Sequence, residues 1–232
     1  MLGVEVADGH PWVHAGDIGN TVARNRFLEH LGCTMADDAK KVERIYKRGL
    51  DCLQAGDSDG ALRLAEEALA LETKFAKAYE LLGLALTVRD QIAAADVAFG
   101  QAAALEPERC VRPFRLGRQA FDVAVEAVLA ELPPEFQEFL ENVEIGVEDV
   151  PSLDLLQDDV DFDVLGLYVG ATAGGDDWDI PDRVVLFQRN LENISPDAET
   201  LRSEIRDTLL HEVGHHFGMD EETLSEIEDD DS

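Results

Sequence analysis

The sequence predicts an α+β chain in two parts: an all-α N-terminal half built of helical repeats, then a small α+β domain. Three observations predict it. Small residues recur at an offset of 34 between positions 38 and 109. Short apolar runs bounded by Gly, Pro and Asp follow the pair Pro133 and Pro134. Leu201, Ile205, Leu209 and Val213 then mark one face of a closing helix. The divisions expected on these grounds are an extension over 1–36, repeats over 37–109, and the α+β domain with an acidic tail over 110–232. A chain of 232 residues is long enough for a domain of ordinary size and a smaller companion, each with its own core.

The composition narrows the partners. Nineteen basic residues against fifty acidic ones give a formal charge of −31, which repels phosphate backbones and anionic lipid surfaces, so neither nucleic acid nor a membrane is expected as a partner. The acidity itself reads as a device for solubility. Cys33, Cys52 and Cys110 are odd in number and lack the close spacing of a zinc or redox motif, which places the chain in a reducing, cytoplasmic compartment. No apolar run reaches the roughly 18 residues of a membrane helix, and no basic patch followed by an apolar stretch opens the chain.

Residues 1–35 show neither helical period nor strand alternation and read as an appendage; a helical pattern led by acidic residues begins after Met35, which therefore reads as the natural start. His10 and His14 have no third ligand nearby and read as part of an exposed segment. From 38 to 109, Gly49 and Gly83, Ala61 and Ala95, and Ala68 and Ala102 are each 34 apart. The second copy resembles the tetratricopeptide pattern at Tyr79, Leu82, Gly83, Leu86, Ala95, Phe99, Ala102 and Pro107. Small residues at Gly49, Ala61, Gly83 and Ala95 let paired helices approach, with Leu, Phe and Tyr between them and Cys52 at a core position. Two repeats are fewer than the three or so an independent array needs, so the next helix, with Phe121, Val125, Val128 and Leu132 on one side, is expected to cover the open end. The repeats would either hold a partner peptide on their concave face or serve as a prop.

Pro133 and Pro134 stop that helix, and a short helix and a strand at Val143 to Val147 are expected next. Asp154, Asp158, Asp159, Asp161 and Asp163 crowd the loop beyond; without the glycine-centred spacing of a calcium loop they read as a solvated acidic segment. Residues 165–170 and 183–188 read as further strands. The closing helix has Ser195 and Pro196 as cap and first-turn residues and Asp197 and Glu199 at its positive end.

That helix carries HEVGHHFGMDEE, residues 211 to 222. His211 and His215 are one turn apart on one face, so two imidazoles can reach one ion. Glu212 lies about 100° round the axis, where it reaches a water rather than the ion. Gly218 permits the sharp turn that would bring a later ligand back, and Asp220, Glu221 and Glu222 offer oxygens. Glu221, six residues past His215, is the favoured third ligand, with Asp220 second. The expected cofactor is Zn2+, the expected general base Glu212, and His216 faces away as a bystander. Histidines favouring a helix C-terminus would explain neither Glu212 nor Gly218.

Residues 121 to 224 resemble the small bacterial zincin-like metallopeptidases, the minimal metalloproteases whose motif is HExxHxxGxx followed by an acidic residue. FDVAVEAVLAELPPEF, ENVEIGVEDVP, VLGLYVG, PDRVVLFQRNL and LRSEIRDTLLHEVGHHFGMDEE carry the resemblance, with Glu221 where that family commonly has aspartate. It implies a compact α+β zincin that holds zinc on His211, His215 and Glu221, uses Glu212 as general base, and cleaves peptide or protein substrates. In larger zincins an edge strand pairs with the substrate backbone; Arg183 to Gln188 is the expected counterpart, and Tyr168, the single tyrosine of this half, is a candidate oxyanion donor against the commoner role of packing. The competing expectation is an adaptor that binds a partner through its repeats and carries a vestigial or structural metal site.

Overall fold

The computed structural model describes residues 38–140, 143–158, 160–170 and 182–216. The extension, including Cys33, His10, His14 and Met35, and the tail, including Gly218, Asp220, Glu221 and Glu222, lie outside the described residues. The chain divides into two compact units, Met1–Glu43 and Arg44–Ser232. Everything that positions the site belongs to the second.

Four helices open the described part: α1 (38–54), α2 (Ser58–Leu71), α3 (Ala76–Val88) and α4 (Ile92–Leu105). The 34-residue offset is visible in the turns as well as in the small residues. Gly56, at φ 75°, and Asp90, at φ 57°, are the two left-handed residues among the described residues and stand at equivalent places. After each, an amide bonds back five residues: Asp57 N–H to the Cys52 carbonyl at 2.7 Å and Gln91 N–H to the Leu86 carbonyl at 2.9 Å. This is the Schellman closure that a left-handed residue makes possible. Close helix contact explains the small residues: a methyl built on Gly83 would lie 2.8 Å from the Phe99 ring. Ala61, Ala65, Leu53, Leu81 and Ala85 form the core of the first pair, with half-buried Cys52 against it.

The expected cover for the open end is corrected by the structure. In α5 (Arg118–Glu131), Phe121, Val125 and Val128, together with Leu132 just beyond, pack into the core of the following domain with Leu201, Ile205 and Leu209. The connection 106–117 is what meets α4. Cys110 packs with Ala76 and Ala102, and burial, then the hydrogen bond and charge of Glu80, push its thiol up to about 11, away from any redox role. Arg115 pairs with Asp96 at 2.9 Å and lies over the Phe99 ring. A four-residue apolar spacing identifies a buried face but not its partner; here the larger core won it.

The rest is α6 (Pro134–Leu140), β1 (Glu144–Glu148), α7 (Leu153–Gln157), β2 (Gly166–Val169), β3 (Arg183–Phe187), α8 (Gln188–Ile194) and α9 (Ala198–His216). Among the described residues the sheet has the order β1-β3-β2, with β1 parallel and β2 antiparallel to β3. This corrects the substrate-pairing strand expected at Arg183 to Gln188: β3 is central, hydrogen-bonded on both sides, and Gln188 already begins a helix. Its unbroken apolar run, with Val184, Val185, Leu186 and Phe187 all buried, is what burial on both faces requires. Val184 and Leu186 share the core with α5 and α9.

The acidic loop divides its roles. Ser152 caps α7, and the side chains of Asp154, Asp158, Asp161 and Asp163 are exposed as expected, but the backbone around Phe162 is fastened to other elements. Asp197, not Ser195, caps α9: its carboxylate accepts the Thr200 N–H at 2.8 Å, and its carbonyl accepts the Leu201 N–H. Ser195 is buried at the end of α8 and donates its hydroxyl to the Leu191 carbonyl. Among the described residues no helix is long and apolar enough to cross a membrane.

Candidate metal centre

The centre is set by how closely β2 and α9 run beside each other. Gly166 opens β2, and a methyl there would lie 2.5 Å from the Thr208 methyl, so the strand meets the helix with bare backbone. From that contact the two elements stay in step, because two strand residues advance about 6.6 Å and four helical residues about 6 Å. Gly166 opposite Thr208 therefore leads to Tyr168 opposite Glu212. The Tyr168 N–H donates to Glu212 Oε2 at 3.0 Å.

The alternation of β2 explains why that N–H is available. The Phe187 N–H donates to the Leu165 carbonyl at 2.8 Å, so Leu165 and, two residues on, Leu167 point their backbone groups at β3. Gly166 and Tyr168 point theirs outward, to the edge that no other described strand covers. Glu212 takes one of these outward amides through Oε2 and keeps Oε1 without a partner among the described residues.

His211 and Glu212 are both half-buried and border one cavity of about 330 Å3, which Gly166, Thr208, Asp207 and Glu204 also line. The imidazole and the carboxylate expected to act together are thus brought to one place. Burial, and the charge of Asp207 one turn away, push the Glu204 carboxyl up, so the upper wall of the cavity is acidic and partly desolvated. The Tyr168 hydroxyl is taken by Asp182; burial first, and that carboxylate second, hold its pKa above the ordinary phenol value. Its ring joins the margin of the core. The oxyanion role considered for the side chain is not supported, whereas the same residue's backbone amide holds the glutamate, a function the sequence hides because any residue supplies an N–H.

His215 stands on the same unbroken helix one turn beyond His211. Its side chain and that of His216 are outside the described set, as is Glu221, and among the described residues no three His, Cys, Asp or Glu side chains are grouped to hold a metal. What is described fits a borderline divalent ion: an imidazole at a cavity, a second imidazole position at the helical spacing, and no kink between them.

Residues 140–230 match the family model of the zincin-like metallopeptidases. None of the curated proteins compared with the chain matches it. The match begins at the last residue of α6 and takes in the whole sheet, α7, α8 and α9, together with the motif that α9 carries. By that match, the segment 140–230 is similar to the zincin-like metallopeptidases.

Proposed function

We propose that the chain is a zinc-dependent peptidase in which His211, His215 and Glu221 hold the ion and Glu212 is the general base. The observation that carries this reading is the Glu212 carboxylate at the edge of β2, with one oxygen fixed by a backbone amide and His211 on the same cavity. Zinc, when bound, supplies a Lewis acid that polarises the scissile carbonyl and acidifies a water. Glu212 Oε1 would accept the proton of the attacking water, and the Tyr168 amide keeps the carboxylate from rotating away. The buried wall formed by Gly166 and Thr208 excludes bulk water from one side of the reacting groups. The outer edge of β2, which no other described strand covers, is the edge proposed to meet an extended peptide in place of β3, with the Gly166 amide and carbonyl pointing that way.

Residues 37–109 are proposed as a tetratricopeptide-type interaction part, 1–36 as an extension, and a reducing, cytoplasmic compartment as the place of action, in keeping with free Cys52 and Cys110. The test compares wild type with Glu212→Gln on a diverse peptide library at matched zinc content. A loss of about 10²- to 10⁴-fold in kcat/KM for the variant is expected for a general base. Equal cleavage by both proteins, or none by either under varied metals, would favour the adaptor.

A further inference from the structure

We propose that Gln54, in the last turn of α1 among the repeats, is a positioning residue for Glu212, acting through the segment 160–168; the proposal rests on the peptidase reading for its catalytic meaning but not for its geometry. Gln54 spans more than a hundred residues of sequence to clamp one peptide group on each side of Asp161. Its Nε2 donates to the Val160 carbonyl at 2.8 Å, and its Oε1 accepts the Phe162 N–H at 3.1 Å. A primary amide sets an NH2 donor beside a carbonyl acceptor, the kinds of group a neighbouring strand would present, so the clamp both holds the segment and fixes its direction.

Phe162 is fastened from three sides. Its amide is bound by Gln54, its carbonyl accepts from Asn190 Nδ2 at 2.9 Å, and its ring packs on the Leu53, Ala61 and Leu81 cluster of the repeats. The same Asn190 nitrogen holds the Val164 carbonyl at 2.8 Å, and the Phe187 N–H holds the Leu165 carbonyl at 2.8 Å. From Phe162 to Tyr168 the chain therefore runs fastened to repeats, α8 and β3 in turn, and it ends on the amide that grips Glu212. A short segment tied this often leaves little slack. Loss of the clamp at one end lets the far end of β2 shift, and at Tyr168 a shift of a fraction of an ångström separates a hydrogen bond from none. The repeats are, in this account, part of the scaffold of the catalytic edge, whatever else they bind.

The test uses the full-length chain in two forms. In the metal-free form, amide hydrogen exchange is measured for wild type, Gln54→Ala, Phe162→Ala and the control Arg89→Ala, which removes only the surface ion pair with Asp59. In Gln54→Ala and Phe162→Ala, exchange at Tyr168 is expected to rise about tenfold, with Leu209 and Leu210 in the core of α9 unchanged and the control like wild type. In the zinc-loaded form kcat is expected to fall about tenfold with KM within about twofold, the signature of a misplaced catalytic group rather than lost substrate binding. Gln54→Glu, which keeps the acceptor for the Phe162 N–H and loses the donor, should recover part of both effects. Faster exchange at Phe162 with Tyr168 unchanged overturns the proposal, and so does a rise of all core amides in proportion. A wild-type chain that cleaves nothing would defeat the peptidase reading, while exchange at Tyr168 would still decide the link.

Discussion

Glu192 has no solvent-exposed surface, yet it is a carboxylate. It is tolerated because its oxygens accept from Arg115 at 3.1 Å, the Leu116 N–H at 3.0 Å, Gln188 Nε2 at 2.8 Å and Arg189 at 2.9 Å. These donors come from the 106–117 connection and from α8, so the residue ties the chain leaving the repeats to the helix behind the sheet. Glu192→Ala would take the fully buried carboxylate from two largely buried arginines, leaving Arg115 with Asp96 and Arg189 with Asp149, and is expected to cost about 3–5 kcal/mol in chemical denaturation; an unchanged midpoint would refute the role. Placement by a local spacing was legible in the sequence: HEVGH sets His211 and Glu212 side by side on one helix and His215 one turn on. Residues acting through a distant backbone partner were not. Nothing near Gln54, Asn190 or Glu192 announces the peptide groups each one holds, and the amide of Tyr168 carries no mark of its residue type.

At the scale of elements, the two helical hairpins, the three strands and the closing helix were readable from period, proline and glycine, whereas α7, inside the stretch read as an acidic loop, and α8 were not. Neighbours were harder. The helix with Phe121, Val125 and Val128 was expected on the repeats and lies in the other core, and the strand at Arg183 was expected at an edge and lies at the centre. Its four consecutive buried apolar residues are the physical sign of a strand covered on both faces, and they outweigh its closeness to the motif helix. The helix cap is a smaller case: Ser195, Pro196 and Asp197 each suit a helix start, and only the hydrogen bond to Thr200 shows that Asp197 fills the role. That bond, with the Thr200 hydroxyl second, holds the Asp197 carboxyl below its ordinary range. A carboxylate whose folded pKa is depressed stabilises above its unfolded pKa and loses that contribution as pH falls through the folded value. Asp197→Ala should therefore lower the melting temperature at neutral pH, with the gap to wild type closing on acidification through that range; a gap independent of pH would contradict the cap.

For the molecule as a whole, charge decides solubility and partners rather than fold. A formal charge of −31 on 232 residues means that self-repulsion opposes compactness. Raising sodium chloride from about 0.02 to 0.5 M shortens the screening length from roughly 20 Å to about 4 Å, so the melting temperature should rise over that range. A fall would show that the ion pairs, such as Arg115 with Asp96 and Glu192, outweigh the net repulsion. From Arg44 to Ser232 the repeats and the zincin-like part form one compact unit, joined at Glu192 and at the Gln54 clamp. The measurement that tests the central claim most directly is zinc bound per chain after dialysis against a trace of the metal. One equivalent is expected for wild type and for Glu212→Gln, with stoichiometric binding lost in His211→Ala and in His215→Ala. Wild-type protein that retains no metal, or histidine variants that retain as much as wild type, would contradict the account.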